Sequence, residues 1–345
     1  RRRDRPRTWG LRGDFTPVVP RDLRREVPER TLADGTIRTP VDLDAVRAAA
    51  QALIDDGGLS CAILFANSYA NPENERQAVE AVRALWPNAH VSASSEILPE
   101  IREFERFSTT ALNAYLQPEV SGYIDRLHSA LKSDGFAGEF MIVQSNGGVM
   151  DVDTAARLPV RTALSGPAAG VIAAGYIAEA AGFPNVITGD MGGTSFDVSL
   201  ISGGQSMLTA QTSVDFGMVI RSPMIEIATI GAGGGSIAWI DKGGMLRVGP
   251  QSAGANPGPA CYGFGGTQPT VTDANVILGR ISPENFLGGT MALDMAKARA
   301  AMQAIAEPLG LGVEETALAV LRIVTNNMTG ALRSVLTERG QDPRD

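Results

Sequence analysis

Hydrophobic and polar positions along the chain predict helices and strands in turn. Residues 42–56 carry apolar positions at helical spacing and stop at a Gly-Gly pair, which is typical of a helix end. A short buried strand is predicted at 61–67, a second helix from 71 to about 86, and another strand at 90–94. This alternation indicates an α/β layer with a parallel or mixed sheet.

The rest of the chain contains longer helical patterns and paired strands. A helix is predicted from about 109 to 133, and an Ala-rich helix with spaced glycines over 165–182. A buried strand is predicted at 139–145. Short glycine-containing turns then predict β-hairpins; their strands are residues 185–190, 196–202, 205–210, 236–241 and 245–248. Two helical patterns beginning near residues 292 and 313 end the chain.

The composition is that of an ordinary globular protein. Of 345 residues, 44% are hydrophobic and 20% are charged, which excludes disordered and fibrous chains. No run of about 18 apolar residues occurs, so no membrane span is expected. The chain contains two cysteines and two histidines. These few residues exclude a disulfide framework, a thiolate zinc cluster and a multi-histidine metal hydrolase, and they favour a cytoplasmic protein.

The formal net charge of −8 is unevenly distributed. Residues 1–30 contain ten arginines and five acidic residues. This basic segment lacks the interleaved aromatic residues and the recognition-helix pattern of a nucleic-acid-binding arm, so no nucleic-acid partner is expected. The chain begins without methionine and stops directly after a long helical pattern. We interpret it as a fragment cut at both ends.

The sharpest motif is GDMGGTSFD, residues 189–197, which lies between two predicted strands and predicts a tight hairpin turn. Adjacent Gly192 and Gly193 lack the β-carbons that would keep a phosphate group away from the backbone N–H groups. Thr194 and Ser195 add hydroxyl donors. We interpret these four residues as nucleotide-binding, against the alternative of an ordinary Asp/Gly hairpin turn.

Two acidic residues flank this turn. Asp190 and Asp197 cannot bind phosphate directly, but they stand where a magnesium ion with its waters would lie beside a bound phosphate. We predict that both carboxylates hold magnesium and are catalytic. Carboxylate, glycine pair, hydroxyl and second carboxylate is the order that a phosphate-magnesium hairpin requires.

A second glycine segment, TIGAGGGS, covers residues 229–236. Glycine accounts for 39 of the 345 residues, above the usual share of about 7%, and clusters at strand ends, as expected where several backbones approach one ligand. Gly231, Gly233 and Gly234 are therefore candidate nucleotide-binding residues, with a flexible hinge or bulge as the alternative. A strand follows the segment, which excludes a Rossmann fingerprint. Residues 249–267, with six glycines and three prolines, are interpreted as an ordered functional loop.

Several single residues are weaker candidates. Ser145 and Asn146 end a predicted strand and are candidate substrate ligands, although Asn-Gly is typical of a plain turn. Asp273 is either a substrate ligand or the first-turn acid of a helix capped by Thr272. Cys261 is interpreted as a buried small residue rather than a nucleophile, because neither histidine is near it in sequence.

These segments together resemble the hydantoinase/oxoprolinase A family, which contains ATP-dependent N-methylhydantoinase and 5-oxoprolinase. The segments that carry the resemblance are MIVQSNGGVM, ALSGPAAGV, GDMGGTSFDVSLI, TIGAGGGSIAW, GPQSAGANPGPACYGFGGTQPTVTDANVILGR and TERGQDPRD. The resemblance implies an α/β fold of the actin/sugar-kinase/Hsp70 ATPase type, with two α/β lobes that clamp ATP and with both termini incomplete. Residues 1–107 would belong to the family's N-terminal region and residues 108–345 to its ATPase-like domain.

The family's chemistry is implied in the same way. A cyclic amide, hydantoin or 5-oxoproline, would be phosphorylated on its carbonyl oxygen by ATP and then opened by water, with magnesium as cofactor. The resemblance also implies a B-type subunit or fused domain as partner, and an oligomer. Two alternatives stay open: a carboxylase subunit that acts on acetone or acetophenone with bicarbonate, and a non-enzymatic ATP-driven clamp of the same fold.

Overall fold

The structure is a computed structural model that describes residues 17–215, 218–342 and 344. Most of the basic segment noted in the sequence, residues 1–16, lies outside the described residues. The chain divides into two compact units. The first contains the described residues up to Ala169 together with Leu208–Ile225, and the second contains Gly170–Met207 and the residues from Glu226 onward. The predicted division at residue 107 stays a prediction.

Nine α-helices and sixteen strands are formed by the described residues. The helices are α1 (Leu43–Asp55), α2 (Glu73–Arg83), α3 (Ser94–Ile97), α4 (Glu103–Ser133), α5 (Val152–Arg157), α6 (Ser165–Ala180), α7 (Val271–Ile277), α8 (Met295–Leu309) and α9 (Val313–Glu338). The strands are β1 (Arg30–Thr31), β2 (Ile37–Thr39), β3 (Cys61–Ile63), β4 (Val91–Ala93), β5 (Met141–Val143), β6 (Val149–Asp151), β7 (Val186–Met191), β8 (Phe196–Ser202), β9 (Gln205–Ser206), β10 (Leu208–Thr209), β11 (Thr212–Asp215), β12 (Met218–Ile220), β13 (Met224–Ile225), β14 (Ala228–Ile230), β15 (Ser236–Ile240) and β16 (Leu246–Ser252).

The predicted α/β layer is confirmed in the first unit. Strands β3 and β4 pair in parallel, with Cys61 opposite Val91. Helix α1 begins after Asp42, whose carboxylate accepts two N–H groups of the first turn, as a helix-capping aspartate does. The apolar faces of α1 and α2 pack with these strands in one core; its buried members include Val46, Ala50, Ile63, Val79, Val82 and Trp86.

Three predicted strands differ from the structure; the strand predicted at 61–67 is only the three residues of β3. The strand predicted as buried at 139–145 is only the three residues of β5, and Met141 is 43% exposed. It is short because the N–H of Gln144 already donates to the Gly148 carbonyl and starts the turn into β6. The strand predicted at 205–210 is two strands, since β9 pairs with β8 whereas β10 pairs with β13.

A buried polar network that the sequence did not reveal joins α2, α3 and α4. The Glu75 carboxylate is fully buried and accepts the Phe65 N–H at 3.0 Å, the Ser94 hydroxyl at 2.7 Å and the Ser95 N–H at 2.7 Å. Arg106, also fully buried, donates to the Ser94 hydroxyl at 3.2 Å and to the Phe65 carbonyl at 3.1 Å. Ser94 therefore links a buried anion to a buried cation, and each charge has hydrogen-bond partners.

The second unit is built on a four-stranded sheet. Strands β14, β8 and β7 lie side by side in that order, all antiparallel, and β9 adds to β8. One face of β8 is covered by helices α7 to α9 in a core that includes Val198, Cys261, Val276, Met302 and Val320. The hairpin β15–β16 was predicted and is confirmed. This packing holds the β7–β8 turn at the end of a rigid sheet.

None of the helices formed by the described residues is both long enough and apolar enough to cross a membrane.

We predict that Glu75→Gln destabilises the first unit by about 1–3 kcal/mol. Three buried donors now share the two oxygens of the carboxylate. In glutamine an NH₂ group replaces one of these oxygens, so at least one buried donor would lose its acceptor. The measurement is urea unfolding followed by Trp86 fluorescence, with Trp9 and Trp239 replaced by phenylalanine.

The matched control is Glu73→Gln on the same helix, since Glu73 is exposed and pairs with Arg76 at the surface. This control should shift the unfolding midpoint much less than Glu75→Gln does. Equal shifts for the two variants would show that the buried network does not stabilise the unit.

Candidate functional site

The register of strands β7 and β8 sets the two predicted carboxylates side by side. Asp190 is directly opposite Asp197, one residue pair before the Met191–Phe196 pair that closes the hairpin. Directly opposed residues in antiparallel strands project to the same face, with β-carbons roughly 5 Å apart. Strand β14 extends the row, because Thr229 is opposite Asp197. The site therefore begins as a row of one threonine and two aspartates.

The contacts of the two carboxylates differ. Thr229 donates its hydroxyl to Asp197 Oδ1 at 2.6 Å, and the Ser195 hydroxyl lies 3.5 Å from Asp197 Oδ2. The Asp190 side chain is exposed and forms no hydrogen bond or ion pair with the described residues. Two like charges opposite each other are unfavourable without a cation. Within the described chain, no cationic side chain pairs with either aspartate.

This arrangement fits magnesium better than a metal held by protein alone. Among the described residues, no group of three or more His, Cys, Asp or Glu side chains could hold a metal ion. Magnesium is usually bound by one or two carboxylates together with phosphate oxygens and water. Asp190 and Asp197 supply that number of carboxylates, and the exposed turn beside them leaves room for the remaining ligands.

The turn itself presents N–H groups to solvent. Gly192 donates its N–H to the Ser195 carbonyl at 2.9 Å, which closes the turn. Within the described chain, the N–H groups of Gly193, Thr194 and Ser195 form no hydrogen bond, and Gly193 and Thr194 are exposed. Successive unpaired N–H groups in a turn form a concave site for anions. Three of the four predicted turn residues thus offer free donors.

The second glycine segment forms hydrogen bonds with the backbone of the turn. Gly234 donates its N–H to the Gly192 carbonyl at 3.0 Å, and Gly235 donates to the Gly193 carbonyl at 2.6 Å. Gly233 donates its N–H to the Ser236 hydroxyl at 2.9 Å. The N–H groups of Gly233 and Gly234 are therefore used within the protein, and their contacts favour a supporting role over direct nucleotide binding.

Close packing explains why this segment is glycine. A β-carbon on Gly233 would lie 2.6 Å from backbone atoms of Gly193 and Thr194, closer than real β-carbons approach. A β-carbon on Gly231 would lie 2.7 Å from the Pro250 carbonyl oxygen. The segment is a tightly packed platform, and the alternative of a flexible hinge does not fit these contacts.

The long loop after β16 reaches the same turn. Ala253 donates its N–H to the Gly235 carbonyl at 2.9 Å, and the Ser252 hydroxyl lies 3.4 Å from the Thr194 hydroxyl. Sequence reasoning missed Ser252 and Thr229. Once the pairing of β14 with β8 is known, its register identifies Thr229 as the neighbour of Asp197. Nothing in the sequence indicates that Ser252 lies near the turn.

Asp273 lies at the start of α7 and is fully buried. Its carboxylate accepts the N–H groups of Ala260, Cys261 and Thr270 at 3.2, 2.8 and 2.9 Å, and the Thr270 hydroxyl at 2.8 Å. The capping residue is Thr270, so the predicted cap at Thr272 is wrong: the helix begins two residues earlier than the pattern suggested. These four hydrogen bonds favour the structural interpretation of Asp273, which anchors the glycine- and proline-rich loop.

Cys261 is fully buried beside this carboxylate. Burial, and next the negative charge of Asp273, raise the pKa of its thiol. A thiol that stays protonated is a poor nucleophile, which favours the interpretation of Cys261 as a packed small residue.

Ser145 and Asn146 lie in the first unit. Ser145 is buried and donates its hydroxyl to the Arg161 carbonyl at 2.8 Å, while the same oxygen accepts the Leu164 N–H at 3.2 Å. The exposed Asn146 side chain accepts the Gly148 N–H at 2.8 Å, as in an ordinary Asx turn. Their contacts are those of structural residues, and their predicted role in substrate binding stays a prediction.

Two family models match most of the chain. Residues 106–345 match the family model described as hydantoinase/oxoprolinase, and residues 1–86 match the hydantoinase/oxoprolinase N-terminal region. Caprolactamase subunit alpha of Pseudomonas jessenii is 43% identical over 330 residues, which cover 95% of this chain and 47% of that relative.

Two solved structures share the fold. The nucleotide-free structure of acetone carboxylase matches with a TM-score of 0.84 and 34% identity over 96% of this chain and 47% of that chain. The ATP-dependent caprolactamase from Pseudomonas jessenii matches with a TM-score of 0.76 and 42% identity over 98% of this chain and 50% of that chain. The chain thus spans about half the length of the relatives that it matches. The family models cover both ends of the chain and more than half of its residues, and the solved structures share its fold: this chain belongs to the hydantoinase/oxoprolinase family and has its ATPase-like α/β fold.

Proposed function

We propose that this chain forms the ATP-binding part of an enzyme that hydrolyses a cyclic amide, hydantoin or 5-oxoproline, at the expense of ATP. The observation that carries the proposal is the Asp190–Asp197 pair beside a turn with free N–H groups. Family membership supports it, because the relatives include a caprolactamase, an enzyme named for a cyclic amide.

The chemistry of the amide explains the need for ATP. Resonance makes the ring carbonyl a poor electrophile, so water alone attacks it slowly. Transfer of the terminal phosphoryl group of ATP to the carbonyl oxygen releases ADP and makes the carbon electrophilic. Water then attacks this carbon, the C–N bond breaks and the ring nitrogen takes up a proton, which leaves an acyl phosphate. A second water hydrolyses the acyl phosphate to the carboxylate and inorganic phosphate, so ring opening consumes one ATP and two waters.

The residues of the turn would supply the electrostatic stabilisation of the transferring phosphoryl group. The N–H groups of Gly193, Thr194 and Ser195 are held in place by the platform below and would bind phosphate oxygens without reorganising. Asp190 and Asp197 would hold magnesium through its waters or directly. When bound, magnesium neutralises charge that develops on the transferring phosphoryl group.

A carboxylase is the second candidate. The acetone carboxylase structure has the higher TM-score, 0.84 against 0.76, whereas the caprolactamase structure has the higher identity, 42% against 34%. An amidohydrolase and a carboxylase would both bind ATP at the turn of residues 192–195. We place the amide first because of the sequence identity, and we propose a B-type subunit as partner because the caprolactamase relative is named as one subunit of an enzyme.

We predict that Asp190→Asn lowers ATP hydrolysis at least about 100-fold in the protein expressed at the full length of its gene. The substitution removes a charge that would hold magnesium but keeps the size of the side chain, so folding should be unchanged. Phosphate release and circular dichroism measure the two effects.

The control is Asp125→Asn. Asp125 is an exposed aspartate on α4 whose side chain forms no hydrogen bond or ion pair with the described residues. Turnover should match that of the unmodified protein. If Asp190→Asn also kept full turnover, the proposed role of the carboxylate pair would be wrong.

We also predict that hydantoin or 5-oxoproline stimulates phosphate release by the full-length protein together with its B-type partner. A further cyclic amide, ε-caprolactam, tests whether a larger ring is accepted. Stimulation by acetone with bicarbonate, and by none of the amides, would replace the amidohydrolase proposal with the carboxylase alternative.

A further inference from the structure

Ser252 lies at the junction between strand β16 and the glycine- and proline-rich loop. It is the last residue of the strand and is paired with Ser236 of β15. Its hydroxyl oxygen accepts the Gly254 N–H at 3.1 Å, and the next residue, Ala253, donates its N–H to the Gly235 carbonyl at 2.9 Å. Both contacts fix the Ser252 hydroxyl against the glycine platform.

The hydroxyl reaches the turn through a gap left by a glycine. A β-carbon on Gly235 would lie 2.9 Å from Ser252 Oγ and 3.0 Å from the Gly193 carbonyl oxygen. Any larger residue at 235 would separate these two groups. The Ser252 hydroxyl therefore lies beside the turn at the point where the Thr194 hydroxyl is 3.4 Å away.

The direction of the hydrogen bond between the two hydroxyls follows from their other contacts. Ser252 Oγ already accepts an N–H group, and among the described residues the acceptor within reach of its own proton is Thr194 Oγ1. Ser252 thus donates and Thr194 accepts. The Thr194 proton is then directed away from Ser252, toward the open side of the turn where the free N–H groups lie.

We propose that Ser252 is a positioning residue that orients the Thr194 hydroxyl as a donor to a bound phosphate group. The inference rests on the proposed function of the turn. The distance between Ser252 Oγ and Thr194 Oγ1 is 3.4 Å. This is longer than the oxygen–oxygen distance of a strong hydroxyl–hydroxyl hydrogen bond, about 2.8 Å. A hydroxyl that donates to an anion becomes a stronger acceptor, so this contact strengthens when Thr194 binds phosphate.

The experiment is a double-mutant cycle on the full-length protein. The variants are Ser252→Ala, Thr194→Val and the double variant, and the readouts are the dissociation constant of a non-hydrolysable ATP analogue with magnesium, measured by calorimetry, and the KM and kcat for ATP. We expect about 3- to 10-fold weaker binding for each single variant. The double variant should bind within about twofold of Thr194→Val, because Ser252 acts through Thr194.

Two further variants separate positioning from a general structural effect. Ser252→Thr keeps the hydroxyl and should restore binding to within about twofold of the unmodified protein. Ser206→Ala on β9 removes a hydroxyl in the same unit that makes no described hydrogen bond, and it should change nothing. Unchanged binding in Ser252→Ala, or losses that multiply in the double variant, would overturn the inference.

Asp190→Asn distinguishes this inference from the proposed function. If Asp190→Asn abolishes ATP hydrolysis while Ser252→Ala behaves as the unmodified protein, the inference on Ser252 fails and the proposed function stands. If Asp190→Asn retains full turnover, the proposed function fails, and the role assigned to Ser252 fails with it.

Discussion

The site depends on backbone-to-backbone packing between two glycine segments. Gly234 and Gly235 donate their N–H groups to the carbonyls of Gly192 and Gly193, so the carbonyl side of the turn faces the protein. In a trans peptide the N–H points opposite to the C=O, so the N–H groups of Gly193 and Thr194 point away from the second glycine segment. A single β-carbon at Gly233 would break this packing, since it would lie 2.6 Å from the turn. The platform therefore holds the turn in the conformation that would bind an anion under the proposed function.

The carboxylate pair adds a second constraint from the sheet. Strand register holds Asp190 opposite Asp197, and only Asp197 is compensated, by the Thr229 hydroxyl. Placing two negative charges side by side costs stability, and folded chains retain such arrangements mainly where function requires them. Under the proposed function the turn and the pair are complementary, because the turn would bind the anion and the pair would bind the cation that accompanies it. A phosphate group with magnesium would satisfy both the turn and the pair, whereas phosphate alone or magnesium alone would satisfy only one of them.

Local patterns predicted the elements and the turn, but the sequence could not show which groups face each other. Helices α1, α4 and α6 and the hairpins β7–β8 and β15–β16 follow from periodicity and glycine turns. The glycines at 233 and 234 have the composition of a binding loop, yet their N–H groups already donate to the Ser236 hydroxyl and to the Gly192 carbonyl. The roles of Thr229 and Ser252 arise from contacts across 32 and 58 residues, which no local pattern encodes.

Under the proposed function, one turn would serve both the amidohydrolases and the carboxylases of the family, because it would act only in the phosphoryl transfer that they share. Phosphoryl transfer to an amide oxygen and to a bicarbonate oxygen both develop negative charge on the same three phosphate oxygens. Under the proposed function, the free N–H groups at 193–195 and the carboxylates at 190 and 197 would bind those oxygens and the accompanying cation, and none of them would need to contact the carbon skeleton of the acceptor. Acceptor specificity would then come from other residues, so under the proposed function the acceptor could differ between relatives while residues 189–197 keep the same geometry.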